Sequence, residues 1–204
     1  MLTSIVLASG NTGKLKEFSA LLEPLGLTVI PQASLNISEA PEPHPTFVEN
    51  ALAKARHASA LSGLPAMADD SGLCVRALKG APGIYSARFA QTEHGARSDL
   101  ANNQKLVQAL QDVSDRRAWY VAVLVFLTHP DDPQPLIAEA NWFGEIVETP
   151  RGENGFGYDP HFYIAEHGCT VAELNPSIKN AVSHRGQAMK ILLSKLKERG
   201  VTLG

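Results

Sequence analysis

The chain has 204 residues, of which 44% are hydrophobic and 19% charged, so it can bury one sizeable core. Its formal net charge of −3 gives no general electrostatic reason to bind a nucleic-acid polymer, and we expect any phosphate ligand to be small. No apolar run approaches the ~20 residues of a membrane helix, and Met1 to Ser4 lacks the basic region of a signal peptide. We therefore expect one domain over residues 1–204, with no membrane partner, in the cytoplasm.

The first predicted element is an apolar strand from Leu2 to Ala8, and a tight loop joins it to a helix. The loop reads Ser9-Gly10-Asn11-Thr12-Gly13-Lys14. A glycine loop that opens a helix offers backbone N–H groups to an anion, and Lys14 adds a mobile charge, so the pattern favours phosphate. It is not a P-loop, because Ala8 and Leu15 stand where that motif has a glycine and a hydroxyl residue. An ordinary helix start with turn residues is the alternative.

The next segments are a second strand, Leu27 to Pro31, and a connection from Gln32 to Pro45. Prolines at alternating positions make this connection extended and non-helical, and it carries Glu39 and Glu42. A capping box at Thr46 then predicts a helix that ends at Gly63. The apolar stripe of this helix is predicted from Ala51, Leu52, Ala55, Ala58 and Leu61. Its basic residues Lys54, Arg56 and His57 are most simply a solvated face.

An apolar run from Leu64 predicts a buried strand that ends in Asp69 and Asp70 at the rim of a sheet. Two adjacent carboxylates repel each other unless a cation bridges them, one takes a proton, or they point to different sides. Adjacent strand residues point to opposite faces, so we expect only one of the pair at any given site. The alternative is that Asp70-Ser71-Gly72 forms a turn, since turns favour these residue types.

The middle of the chain predicts a short strand from Leu73 to Leu78 and a helix from Ser98 to Leu110. The buried face of this helix is predicted from Leu100, Leu106, Val107 and Leu110. Two long β-rich runs, Trp119 to Thr128 and Leu136 to Val147, are separated by a proline- and aspartate-rich turn. We expect them to form a hairpin across the centre of the sheet.

Two features near the C-terminus suggest a nucleotide pocket. Glycines surround Phe156, Tyr158 and Asp159, and such a loop lets a ligand approach the backbone beside an aromatic ring that can stack on a base. A final helix starts near Ser183-His184-Arg185, with Lys179 one turn earlier. Basic groups at a helix start oppose the helix dipole, which indicates that an anion or a base carbonyl lies there. Glycine loops are, however, also often only loops.

Six separated motifs together resemble the inosine triphosphate pyrophosphatase family, also called Ham1-like. The matching stretches are Ser9–Lys14, Thr46–Ala51, Asp69–Leu73, Pro82–Arg88, Phe156–Pro160 and Ser183–Gly186. The resemblance covers nearly the whole chain in family order. It implies a homodimeric, Mg²⁺-dependent enzyme that hydrolyses ITP, dITP and XTP to the monophosphate and pyrophosphate.

The same resemblance implies roles for individual residues. Asp70 is similar to the family's general base and Ser71 to a substrate contact beside it, while Glu42 and Asp70 would hold the metal. Glu39 stays open as the second acid, because His44 stands where the family usually has glycine. The triphosphate would bind at Ser9, Gly10, Asn11, Thr12, Gly13 and Lys14. The base and sugar would bind at Phe156, Gly157, Tyr158, Asp159, Lys179, His184 and Arg185.

Elementary chemistry agrees with this assignment. Hydrolysis at the α-phosphorus requires charge neutralisation and a positioned water, and Mg²⁺ needs only one or two carboxylates besides phosphate oxygens and waters. Donors such as Arg185 and His184 would favour 6-keto purines over adenine, whose 6-amino group is itself a donor.

The expected fold is α/β, with a long twisted mixed sheet flanked by helices and two lobes around a central nucleotide cleft. The nearest alternative function is a Maf-type pyrophosphatase, which prefers pyrimidine or modified nucleotides. A nucleotide-binding module without turnover is the alternative from another class.

Overall fold

The structure is a computed structural model that describes residues 1–91 and 95–203. These residues form a seven-stranded sheet with the order β2-β1-β3-β4-β5-β6-β7. The strands are β1 Ser4–Ala8, β2 Thr28–Pro31, β3 Ala66–Val75, β4 Arg117–Leu127, β5 Leu136–Ile146, β6 Phe162–Ile164 and β7 Cys169–Thr170. The strand β1 runs parallel to β2 and β3, whereas β6 is antiparallel to β5 and β7. The predicted mixed sheet is confirmed.

Helices flank this sheet as predicted. They are α1 Thr12–Leu22, α2 Phe47–Ser62, α3 Asp99–Ala109, α4 Pro176–Val182 and α5 His184–Glu198. The predicted ends of α2 are confirmed, because the Thr46 side chain caps its first turn and Gly63 follows its last turn in a left-handed conformation. No helix in the described ranges is long and apolar enough to cross a membrane.

The chain forms two compact units. The first unit comprises residues 1–70, 122–140 and 185–204, and the second comprises 71–121 and 141–184. The core of the first unit includes Leu7, Phe18, Met67, Leu124, Phe126 and Leu192. The core of the second unit includes Leu73, Val75, Leu106, Trp142, Phe162 and Val171. That the whole chain is one Ham1-like domain stays a prediction.

The structure corrects the expectation that a strand ends at the two aspartates. A single strand, β3, continues through Asp69, Asp70 and Gly72 to Val75, so the carboxylates lie in mid-strand and the turn alternative is wrong. The neighbours β1 and β4 pair with β3 on its two sides. The pairing with β1 ends at Ala68, and pairing with β4 offsets the local turn preference of Asp, Ser and Gly.

Smaller corrections concern helical faces and the connection after β2. The extended connection begins with a 3₁₀ turn at Gln32–Leu35, before its prolines. Leu61 and Leu100 were predicted to be buried but are 59% and 70% exposed. On α3 the buried positions include Asn102 and Asn103. The Oδ1 and Nδ2 of Asn102 and the Nδ2 of Asn103 have backbone partners in neighbouring loops, whereas Asn103 Oδ1 is buried without a hydrogen-bond partner among the described residues.

Candidate active site

The loop before α1 is organised by its own side chains. Asn11 caps the helix, and its Oδ1 accepts hydrogen bonds from the backbone N–H groups of Gly13 at 2.9 Å and Lys14 at 3.1 Å. The helix therefore starts at Thr12, earlier than predicted. Ser9 Oγ accepts a hydrogen bond from the Asn11 N–H at 3.2 Å. A phosphate that binds the Gly13 and Lys14 amides would have to displace the Asn11 carboxamide.

Asp69 lies at the centre of a buried charge cluster in the first unit. Its Oδ2 is 2.6 Å from Lys14 Nζ and 3.6 Å from Arg185 Nε. Arg185 also binds Glu17 on α1, with 2.9 Å between Nη1 and Oε2. Burial alone would raise the pKa of Asp69, but the positive charges of Lys14 and Arg185 hold it well below its usual range. Asp69 is therefore a fixed anion that orients two cations.

Asp70 faces a different cation, Lys54 of α2. Lys54 Nζ donates to Asp70 Oδ1 and Glu42 Oε1, both at 2.8 Å, and to the backbone oxygen of Asp69 at 2.9 Å. The interpretation of Lys54 as part of a solvated face is wrong, because only 12% of its side chain is exposed. Its spacing from Ala51 and Ala58 on the buried stripe is the signal that could have identified it. The carboxylates of Asp69 and Asp70 thus bind different lysines, as adjacent strand residues that point to opposite faces would.

The environment of Asp70 is unusual for a carboxylate. The residue is 7% exposed, and its Oδ2 is buried without a hydrogen-bond partner among the described residues. Burial raises its pKa, and the nearby Glu42 adds to this effect, although the ammonium of Lys54 opposes it. Burial would lower the pKa of Lys54, but the two carboxylates that it binds raise it. One ammonium group is thus shared by two carboxylates, and Asp70 is incompletely neutralised.

The two acids on the extended connection have different surroundings. Asn50 of α2 fixes the segment beside Glu42, because its carboxamide accepts from the His44 N–H and donates to the His44 carbonyl, both at 3.1 Å. Glu39 instead lies against Gly10, where a Cβ atom would collide with its carboxylate. Glu42 is therefore the acid that lies in one hydrogen-bonded group with Asp70.

The donor set fits a metal ion only in part. In residues 1–91 and 95–203, no three His, Cys, Asp or Glu side chains are grouped as a protein metal cage requires. Two carboxylates, Asp70 and Glu42, nevertheless lie 2.8 Å from the same Lys54 ammonium group. Mg²⁺ uses only one or two carboxylates when substrate phosphates and waters complete its shell. The pair Asp70 and Glu42 fits that mode.

A second polar cluster lies in the second unit, around Asp159. Lys179 Nζ is 2.8 Å from Asp159 Oδ2, which also accepts the Phe156 N–H at 3.0 Å. Tyr120 donates its hydroxyl to Asp159 Oδ1 at 3.1 Å. The Lys179 ammonium lies 4.8 Å from the centroid of the Phe156 ring. Three of the predicted pocket residues, Phe156, Asp159 and Lys179, are therefore in direct contact.

His184 stacks on two aromatic rings of the second unit. Its imidazole lies 4.7 Å from the Tyr120 ring, with only 10° between the planes, and 6.4 Å from Trp142. The sequence does not single out Tyr120 and Trp142 within the two long β-rich runs, because nothing in a buried strand marks one aromatic ring as a stacking partner. The stacking is seen only in the structure, where Tyr120 on β4 and Trp142 on β5 are both buried.

The basic residues near the start of α5 have carboxylate partners within the chain. Lys179 binds Asp159, whereas Arg185 binds Glu17 and lies near Asp69. Acidic side chains therefore offset the mismatch with the helix dipole that the sequence indicated. Arg185 is grouped with the charge cluster of the first unit, not with Lys179 and His184 of the second.

The remaining predicted pocket residues differ in accessibility. Tyr158 is 4% exposed and donates its hydroxyl to the Ser86 carbonyl at 2.8 Å, so in this structure it supports the loop. Burial raises the pKa of Tyr158, and the nearby Asp99 carboxylate adds to this shift. Ser71 follows Asp70 on β3 and is half-buried. Gly157 adopts a left-handed conformation with φ of 63°.

Comparison with known proteins identifies the family. A model of the Ham1 family matches residues 5–195. The chain belongs to the Ham1 family. The match spans both acids of β3 and both polar clusters, and it confirms the resemblance that the sequence motifs indicated.

Individual Ham1 relatives are similar over almost their whole length. The chain is 62% identical to a protein of Bordetella pertussis named dITP/XTP pyrophosphatase, over 98% of this chain and 93% of that protein. It is 63% identical to a dITP/XTP pyrophosphatase of Ralstonia nicotianae, over 95% of this chain and 96% of that protein. The solved structure of a HAM1 protein from Coxiella burnetii matches with a TM-score of 0.87 at 48% identity, over 97% and 100% of the two chains.

Proposed function

We propose that this Ham1 protein hydrolyses non-canonical purine nucleoside triphosphates, namely dITP, ITP and XTP, to the monophosphate and pyrophosphate. Such a reaction removes deaminated purines from the nucleotide pool before they enter DNA or RNA. The names of the Bordetella and Ralstonia relatives support this substrate class. The observation that carries the reaction type is the pair Asp70 and Glu42 on one lysine, with one buried Asp70 oxygen unsatisfied.

Asp70 acts as the general base. Its Oδ1 is held by Lys54, which leaves Oδ2 to accept a proton from the attacking water. The oxygen of that water forms the new bond to the α-phosphorus, and the bond from the α-phosphorus to the pyrophosphate oxygen breaks. The raised pKa of Asp70 makes it a better proton acceptor than an ordinary carboxylate.

Mg²⁺ is the proposed cofactor, and Asp70 and Glu42 would hold it. When bound, it supplies positive charge to the phosphate oxygens. Lys54 keeps the two acids together in the absence of the ion.

The triphosphate is bound by the loop from Ser9 to Lys14. Lys14 is oriented by Asp69 and offers its ammonium group to the pyrophosphate that leaves. The Asn11 side chain covers two loop amides in this structure, so we propose that it moves aside when phosphate binds. Ser71 contacts the substrate beside Asp70.

The base is bound by the cluster around Asp159. Phe156 offers a ring for stacking, and His184 and Lys179 offer donors for the 6-keto oxygen of hypoxanthine or xanthine. Adenine carries a donor at that position and is disfavoured. Arg185 contributes as a donor only if it gives up part of its contact with Glu17.

We further propose that the protein works as a homodimer in the cytoplasm, with small nucleotides as its ligands. The two-subunit state would be measured by sedimentation or light scattering of the full chain. A monomer at micromolar concentration would contradict this part of the proposal without affecting the reaction.

The deciding experiment measures pyrophosphate release from dITP, ITP, XTP, GTP, ATP, UTP and dTTP, with Mg²⁺ and with a chelator. We expect turnover of the three deaminated purines, and its loss with the chelator. Faster hydrolysis of UTP or dTTP than of ITP would favour the Maf-type alternative. Binding of ITP without any turnover would favour a regulatory module.

A further inference from the structure

The N-terminal half of α3 holds Gly157 through two side chains. Asp99 Oδ2 accepts a hydrogen bond from the Gly157 N–H at 2.8 Å. Asn103 Nδ2 donates to the Gly157 carbonyl at 2.9 Å. Asp99 and Asn103 are four residues apart and therefore lie on one side of the helix. Two side chains on one face of α3 thus bind both the N–H and the carbonyl of Gly157.

Gly157 is a position where such restraint is needed. Its φ of 63° is accessible to glycine at little cost, but a glycine can also leave this conformation easily. It follows Phe156, whose N–H binds Asp159 and whose ring contacts Lys179. The orientation of the Gly157 peptide therefore affects the proposed stacking ring and its cation.

Asn102, the neighbour of Asn103 on α3, also binds backbone groups of a loop. Asn102 Oδ1 accepts from the Ala90 N–H at 2.7 Å, and its Nδ2 donates to the Ala87 carbonyl at 3.3 Å. Asn102 and Asn103 are 3% and 8% exposed, although a helix normally buries apolar side chains at such positions. Two buried amides on one helix are best explained by the loops that they hold.

We infer that Asp99 and Asn103 are positioning residues for binding of the purine base. They fix the Gly157 peptide and thereby orient Phe156 for the base. This inference rests on the proposed function of the Asp159 cluster. The hydrogen bonds described for these two side chains go to Gly157, so we expect their loss to affect base binding more than the chemical step.

The test compares steady-state kinetics of Asp99→Ala, Asn103→Ala and the double variant with dITP and Mg²⁺. We expect KM to rise about three- to tenfold in each single variant while kcat stays within about twofold, since each loses one hydrogen bond to the loop. The double variant should lose less than the product of the two single effects, because both side chains hold the same peptide. Asp99→Asn keeps an oxygen acceptor and should recover most of the affinity.

Ser98→Ala is the matched control. The Ser98 side chain caps α3 by accepting the Ala101 N–H, so its removal weakens the helix start without removing a contact to Gly157. It should lower the melting temperature but leave the KM for dITP unchanged. An equal rise of KM in Ser98→Ala and Asp99→Ala would mean that only helix stability matters, and would overturn the inference.

Amide hydrogen exchange of Gly157, measured by NMR without substrate, separates this inference from the proposed reaction. Asp99→Ala should accelerate Gly157 exchange about three- to tenfold, whereas Ser98→Ala should not. If the wild-type protein does not hydrolyse dITP, the proposed function fails. The exchange rate of the Gly157 amide then shows by itself whether Asp99 restrains the Gly157 peptide. Unchanged exchange in Asp99→Ala would overturn the inference.

Discussion

At the scale of single residues, two acids of the first unit are neighbours in sequence but have opposite properties. Asp69 has two cations and a lowered pKa, whereas Asp70 shares one cation and has a raised pKa. The difference arises because the side chains of adjacent strand residues point to opposite faces and so meet different surroundings. Asp69 is suited to orient Lys14 and Arg185, and Asp70 is suited to accept a proton.

Replacing Asp70 should stop the reaction without unfolding the protein. We expect Asp70→Asn to lower kcat for ITP by about 10²- to 10⁴-fold, because an amide cannot act as a base. ITP binding, measured by calorimetry, should persist because the loop from Ser9 to Lys14 is intact. Asp131→Asn changes an exposed turn residue and serves as the control. Turnover within a few-fold of wild type in Asp70→Asn would show that another group is the base.

Tyr158 provides a test of pH dependence. Its folded-state pKa is raised above the unfolded value of about 10, so folding favours the neutral phenol. The contribution of the neutral phenol to the free energy of unfolding is therefore fully present below pH ~10. It is lost as the pH rises further, by up to about 1.4 kcal/mol per pH unit.

Tyr158→Phe should be less stable than wild type at pH 7 by about 1 kcal/mol, because it lacks the hydrogen bond to the Ser86 carbonyl. Above pH ~10 it should lose less stability than wild type, because it has no phenol to ionise. Urea unfolding at pH 7, 9 and 10.5 measures both effects. Tyr85→Phe removes a phenol that is 57% exposed and controls for a general tyrosine effect. Equal alkaline slopes for Tyr158→Phe and wild type would contradict the prediction.

At the scale of elements, side chains of α2 anchor the proline-containing segment that carries Glu42, the acid that we propose to hold the metal. Asn50 binds both backbone groups of His44, and Lys54, one turn later, binds Glu42 itself. The prolines around Glu42 limit the conformations of the connection but do not fix its position. The helix supplies that position through two polar side chains.

We expect Asn50→Ala to lower the free energy of unfolding by about 1–3 kcal/mol, because it leaves two backbone groups of His44 without their partner. The Mg²⁺ concentration for half-maximal activity should also rise, since Glu42 is then less well placed. Arg56→Ala changes an exposed residue of the same helix and should alter neither quantity. A variant with reduced stability but wild-type Mg²⁺ dependence would show that His44 anchoring does not position Glu42.

At the scale of the whole molecule, each unit has its own apolar core. Phe126 is fully buried in the first unit and Phe162 in the second, whereas Phe143 is 70% exposed. We expect Phe126→Ala and Phe162→Ala each to lower the free energy of unfolding by about 3–5 kcal/mol, from lost burial and the cavity that remains. Phe143→Ala is the matched control and should change it by less than about 0.5 kcal/mol. Urea denaturation of the three variants measures these effects, and a loss in Phe143→Ala equal to the other two would contradict this assignment of the cores.

The sequence by itself determined most elements and the family. Hydrophobic period, caps and glycine stops located the helices and strands within a few residues, because these signals act over one or two turns of chain. Six short motifs in order indicated the Ham1 family, which the comparisons confirmed. The substrate class that the resemblance implied agrees with the names of the relatives.

Only the tertiary structure decided how the charged residues are paired. The continuity of β3 through Asp70 depends on pairing with β4, which lies far away in sequence, because the pairing with β1 ends at Ala68. The burial of Lys54 depends on carboxylates 12 and 16 residues distant, and Arg185 meets Glu17 across 168 residues. Local patterns carry no information on such pairs, because the energy of a buried charge is set by the groups that folding brings around it.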